Sequence, residues 1–286
     1  MQTVQYKIEE IIEKAENLSY MPTIVLKLME MTSDPDVTVH EIVAAVKKDQ
    51  GLVARVFKVA NSSFYGRLKK AENLTDAIIT LGLRGLKSLV IAQAVKHVLL
   101  SAGADDHSQW EHAVKVSIAA TVLAKEFRCD VVEDAIVSGL VHDIGKAFIG
   151  SVYTDIPLLI HQRVAQDHTT YEEAERAILD FDHSEIGAMV TERWGFPEKI
   201  VDVIRCHHGS DGSRKLPVES QKMVDIVRLA NIFSRQSTEM SDSDVDNVFE
   251  SITLAGGFDL SRERLAYLME EVKTKWKTET ELNMFY

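Results

Sequence analysis

The chain has 286 residues, 45% of them hydrophobic and 27% charged, with a net charge of −12, which suits one large or two moderate soluble domains. That balance excludes a nucleic-acid backbone or an anionic membrane as main partner, because both require concentrated positive charge, and it leaves room for a small phosphate ligand held locally. Two distant cysteines, Cys129 and Cys206, exclude a disulfide framework and point to a reducing cytoplasm.

The N-terminal MQTVQYKIEEIIEKAENL carries charge throughout, unlike a signal peptide. Residues 4 to 17 predict an amphipathic helix with Val4, Ile8, Ile11 and Ile12 on one side. Pro22 stands where a helix-starting proline belongs, ahead of Ile24, Leu26, Leu28 and Met29. After the turn Asp34-Pro35-Asp36, Thr38 and Glu41 form a capping box that opens a helix through Val46. Leu52 to Ala60 is a further apolar helix, closed by Asn61-Ser62-Ser63 and a loop through Gly66, Arg67, Lys69 and Lys70. Leu74 to Leu81 follows, then a Leu-Gly-Leu-Arg-Gly break and a helix from Leu86 to about Leu100. That stretch contains Lys87 and Lys96 and is short for a bilayer span.

The polar segment SAGADDHS, 101–108, marks a change of regime. Beyond it, Trp110 to Phe127 and Val131 to Ile144 predict long helices, with peripheral cover near 155–167 and 171–180. Asp182 and Glu185 cap a helix from His183 to Trp194, and Pro197 starts one that ends at His207-His208-Gly209. Gln221 to Arg235 and segments near 243–254 and 261–276 complete the series. No run alternates as a strand does, so the fold class expected is all-α: a helical bundle of an N-terminal subdomain (1–103), a second helical domain (104–240) and C-terminal helices (241–286).

The histidines are unevenly placed. His112, His142, His183, His207 and His208 fall at helix ends or on apolar faces, and with Asp143 they offer six candidate metal ligands on four helices. A mixed imidazole and carboxylate set suits Fe, Mn, Zn or Ni and disfavours Ca or Mg. Each residue also has a plainer reading: His112 as a half-buried core histidine, His183 as surface, and His207-His208 as a polar helix end beside the negative dipole terminus. His40, His97, His107, His161 and His168 read as surface residues.

The order His112, then VHDIGK, then DHSEIGAMVTERWGFP, then RCHHG resembles the HD superfamily of metal-dependent phosphohydrolases. MPTIVLKLMEMTSDPDVT, KKDQGLVARVFKVANSSFYG and LTDAIITLGLRGLKSLVIAQA resemble the HDOD variant, so that the likeness runs over roughly 15 to 235. The resemblance implies an all-α fold, a bacterial signalling or regulatory role, and a metal shell of His112, His142, Asp143, His183, His207 and His208, holding one or two ions, Fe foremost. It implies that Lys146 faces substrate phosphate and that Asp143 and Lys146 serve any catalysis. The last metal aspartate of the pattern falls at Asn231, which offers a carbonyl oxygen but no charge. Asp225, six residues earlier, lies on another side of its helix. HD-GYP relatives carry HHE and a Gly-Tyr-Pro signature, whereas here Gly209 follows the two histidines. Two functions are therefore expected: a cytoplasmic regulatory module that binds a signalling protein or a small phosphorylated ligand, or a metal-dependent phosphohydrolase.

Overall fold

The computed structural model describes residues 6–17, 23–34, 36–61, 70–101, 106–129, 132–209, 215–235, 245–246, 248–249 and 260–282. No strand occurs among them, as the periodicity predicts. Pro22, Ser62, Ser63, Gly66, Arg67, Lys69 and most of the segments 210–215 and 243–254 lie outside the described residues. Two compact units emerge, Met1–Ser19 with Val98–Thr278, and Tyr20–His97 with Glu279–Tyr286.

The smaller unit holds α2 (Thr23–Ser33), α3 (Val39–Val46), α4 (Gln50–Ala60) and most of α5 (Leu74–Ser101). Local chemistry sets its helix starts. The Thr38 side chain accepts from the Glu41 amide while Glu41 reaches back to the Thr38 backbone, and Asp49 accepts from the Leu52 amide. The predicted break in α5 is a kink at Gly82, whose φ of 66° suits a residue without a Cβ. Leu74–Leu99 and Val132–Val152 are each long and apolar enough to cross a membrane by length and composition alone. However, 56% and 72% of their apolar windows are buried in protein, as in the core of a folded domain.

The larger unit is built around α6 (Asp106–Glu126). Val114, Val116, Ile118, Ala119, Ala120, Val122 and Leu123 are buried on all its sides, so α6 is a central helix rather than an amphipathic one. It packs on α7 (Val132–Val141) and α13 (Val218–Ser234). Gly139 lets α7 approach closely: a Cβ there would stand 2.5 Å from the Ser117 Cα. Three more elements, α8 (Ile144–Val152), α11 (His183–Arg193) and α12 (Glu198–Cys206), pack in sequence, with α1 (Ile8–Asn17) laid over α8 and α11. Two further helices, α9 (Ile156–Asp167) and α10 (Tyr171–Leu179), pack on each other, and α14 (Arg262–Leu282) follows near the C-terminus. Arg264 of α14 makes a two-pronged ion pair with Glu126 at 2.5 and 2.7 Å.

The run Val131 to Ile144 is not one helix carrying the His-Asp pair: α7 stops at Val141, His142 and Asp143 form a turn, and α8 starts at Ile144. Asp143 has φ −100° and ψ 11°, outside helical values. The stop is fixed by contact, because a Cβ on Gly145 would lie 1.8 Å from the His183 carbonyl oxygen. That contact presses the start of α8 onto the start of α11.

Candidate metal centre

Two helices end in the same way. The C-terminus of α7 leaves the Gly139 carbonyl without an intrahelical partner, and the C-terminus of α12 leaves that of Ile204. His142 Nδ1 takes up the first at 2.8 Å and His207 Nδ1 the second at 2.8 Å. Each bond puts the proton on Nδ1 and turns the Nε2 lone pair away from the helix. His183, first residue of α11, has its Nδ1 held by Glu175 Oε2 at 2.5 Å, and the same oxygen accepts the His183 backbone amide at 2.9 Å. His112 Nδ1 lies 3.3 Å from Ser234 Oγ, whose own proton goes to the Asn231 carbonyl at 2.8 Å. His208 Nδ1 faces Glu172 at 3.6 Å.

All five Nε2 atoms therefore converge, and Asp143 stands among them. Its Oδ1 is 3.1 Å from His183 Nε2 and 3.3 Å from His207 Nε2, and its Oδ2 is 3.4 Å from His142 Nε2 and 3.5 Å from His112 Nε2. His208 Nε2 lies 2.9 Å from His183 Nε2. Two ligand groups result, Asp143 with His183, His207 and His208, and Asp143 with His112 and His142, each with its donor atoms within 4.8 Å of one another. Donors around one ion at about 2.0–2.1 Å lie roughly 3–4 Å apart, so these spacings match a shared ion.

Whether a metal fits is decided by the buried donors. Asp143 Oδ1, His142 Nε2 and His207 Nε2 are buried with no hydrogen-bond partner among the described residues. Each such atom costs about 1–3 kcal/mol when left unsatisfied, and a cation would serve several at once. Burial holds His142 down to about 4 and pushes His207 down, so both imidazoles are neutral and able to ligate at neutral pH. Burial, then the neighbouring His207 and His183, push His208 down as well. For Asp143, burial acts upward, but the neighbouring His142 and Lys146 outweigh it and hold the carboxyl well below its usual range. For His183, burial acts downward, and the Glu175 carboxyl together with Asp143 outweighs it, raising the imidazole to about 9.

Lys146 reaches Asp143 Oδ2 at 2.6 Å and also stands over the Tyr171 ring at 4.7 Å. Beside them opens a cleft of about 540 Å³, lined among others by His112, Asp143, Lys146, His161, Tyr171 and Arg235. Asp225 lies outside both ligand groups, paired with Gln221 at 3.0 Å and Arg228 at 3.9 Å. His40, His97, His161 and His168 are exposed, as expected of surface residues.

The model of the HDOD domain matches residues 18–210. The chain belongs to the HDOD family. An HDOD domain protein of Geobacter sulfurreducens has a similar structure, with a TM-score of 0.71 and 21% identity over 98% of this chain and 99% of that one. A candidate phosphohydrolase of Shewanella amazonensis SB2B is equally similar in fold, with a TM-score of 0.71 and 22% identity over 96% of each chain. An uncharacterised protein of Treponema pallidum is 27% identical over 226 residues, 79% of this chain but 44% of its own length. The HDOD chain thus spans under half of that curated relative.

Sequence reading missed the residues behind the ligands of this HDOD chain. The expectation that the segment near 171–180 is peripheral cover is overturned, since α10 supplies Tyr171, Glu172 and Glu175 to the centre. Glu175 is 1% exposed, which nothing in YEEAER announces beyond a third acid in an amphipathic turn.

Proposed function

We propose that this HDOD protein is a cytoplasmic regulatory module whose helical region 104–240 holds a metal ion among Asp143 and its histidines. The adjoining cleft would receive a small phosphorylated ligand or the segment of a signalling partner. What carries this reading is the convergence of one carboxylate and five Nε2 atoms, with several of the donors buried and unpartnered. Asp143 with His183, His207 and His208, or Asp143 with His112 and His142, would hold the ion, and Asn231 offers an amide oxygen as a neutral donor. The mixed nitrogen and oxygen set favours Fe, Mn, Zn or Ni.

A second reading, metal-dependent phosphoester hydrolysis, is favoured by Lys146 and Arg235 on the wall of the cleft and by the candidate phosphohydrolase among the relatives of similar fold. A bound ion would supply Lewis-acid polarisation and a lowered pKa for a coordinated water. Lys146 would neutralise charge on the phosphoryl oxygens, Tyr171 would hold the Lys146 ammonium in place, and Glu175 would keep the His183 ring oriented. Asn231, neutral where the HD pattern has a carboxylate, supports regulation over turnover.

Elemental analysis of protein purified without chelator tests the metal: near-stoichiometric Fe, Mn, Zn or Ni is expected in the parent chain and little in Asp143→Ala. Absence of metal after anaerobic reconstitution refutes the centre. Assays of the loaded protein on nucleotides and phosphoesters separate the two readings, the regulatory one expecting no turnover that depends on Asp143.

A further inference from the structure

We propose that the centre takes a single divalent ion, on the Oδ1 side of Asp143, and that the Lys146 ammonium is its second cation, on the Oδ2 side. This rests on the metal reading above. The two carboxylate oxygens face unequal surroundings. Oδ1 belongs with His183, His207 and His208, so that four donors from three different segments close around one point. That is a full tetrahedral set. Oδ2 has two histidines beside it, His112 at 3.5 Å and His142 at 3.4 Å, and Lys146 Nζ already contacts it at 2.6 Å. Tyr171 supports that ammonium from its other side at 4.7 Å. The Asn231 side chain, on the helix whose Ser234 touches His112, adds no charge for a second ion.

Charge decides the same way. Among the described residues, the acids paired with the cluster's histidines, besides Asp143, are Glu172 through His208 and Glu175 through His183. One divalent ion together with Lys146 balances these three carboxylates, and a second divalent ion beside Lys146 would leave two positive charges uncompensated. Buried charge persists only when it is paired. A second ion must therefore displace the ammonium. The Oδ2 side is also the one that meets the cleft, since His112, Asp143 and Lys146 line it while His183 and His207 are fully enclosed. A ligand entering the cleft meets an ammonium group there.

The test is Mn²⁺ binding to the full chain, stripped with chelator, followed by equilibrium dialysis and electron paramagnetic resonance. The parent protein should take one equivalent with the signal of an isolated ion. Lys146→Met should take a second equivalent and show a spin-coupled pair, and Lys146→Gln provides the same comparison if the Met variant loses its circular dichroism. His208→Ala should weaken binding of the one ion by about tenfold or more, the scale of ligand-shell losses, and His112→Ala should leave it almost unchanged. Two tight equivalents in the parent chain, a single equivalent in the folded Lys146 variant, or equal losses in the two histidine variants would each overturn the proposal. No binding by the parent chain would instead refute the metal centre itself.

Discussion

Gly145→Ala probes the contact that places the His-Asp turn. The added methyl would meet the His183 carbonyl oxygen at 1.8 Å, its carbon at 2.7 Å and the Gly187 amide nitrogen at 2.9 Å. All three are backbone atoms that no rotamer change can move. Restoring ordinary contact requires α8 and α11 to part by roughly 1.5 Å, and overpacking of that kind costs about 1–3 kcal/mol. For a unit of this size, each kcal/mol lowers the melting temperature by roughly 2–4 °C, so a fall of about 2–12 °C is expected. Gly187→Ala is the graded control: its methyl would first meet Ile204 Cγ2, at 2.9 Å, a side-chain atom that can turn aside, so its loss should be smaller. Thermal unfolding followed by circular dichroism measures both. A Gly145→Ala protein that melts within about a degree of the parent would refute the close-approach argument. The same displacement draws His183 away from Asp143, so metal affinity should fall together with stability.

Three further outcomes are expected. Glu175→Ala removes both bonds that Glu175 receives from His183, and metal affinity measured by competition with a chromophoric chelator should drop by about 10–100-fold, with unchanged affinity refuting an orienting role. Asn231→Asp places an acid at a position only 5% exposed. Calorimetry should show it destabilised to about the same extent without metal and with one ion bound, and a gain in stability on loading that ion would place Asn231 in its shell. Thr38→Ala removes the capping box of α3 and should cost about 0.5–2 kcal/mol in denaturant titration, with no change in metal content.

Much of the centre was legible in the chain because it lies where local rules change. Thr38 announces its helix by a capping box that the structure shows in full, and Asp182 announces its own by a side chain that accepts from the Glu185 amide. His142 and His207 stand at helix C-termini, where an imidazole can satisfy an orphan carbonyl, and that preference can be read from four residues. The start of α8 was not legible, for the opposite reason. Asp143 occupies its N-cap position yet makes no side-chain cap bond; its carboxylate is turned instead to Lys146 and the histidines. Local capping was given up for a tertiary contact, and no window of sequence records that.

What the sequence by itself determined is the helical class, the positions of most helix ends, and the residue types able to hold a metal, because periodicity, caps and donor chemistry act over a few residues. Only the tertiary structure decided that the Nε2 atoms of five histidines face one carboxylate. The buried Glu175 behind His183, Lys146 on Oδ2 and the cleft beside them were settled there as well. Those depend on how closely α8 can approach α11 and how α10 lies over them, distances set by the absent side chain of Gly145 and by packing between residues far apart in the chain.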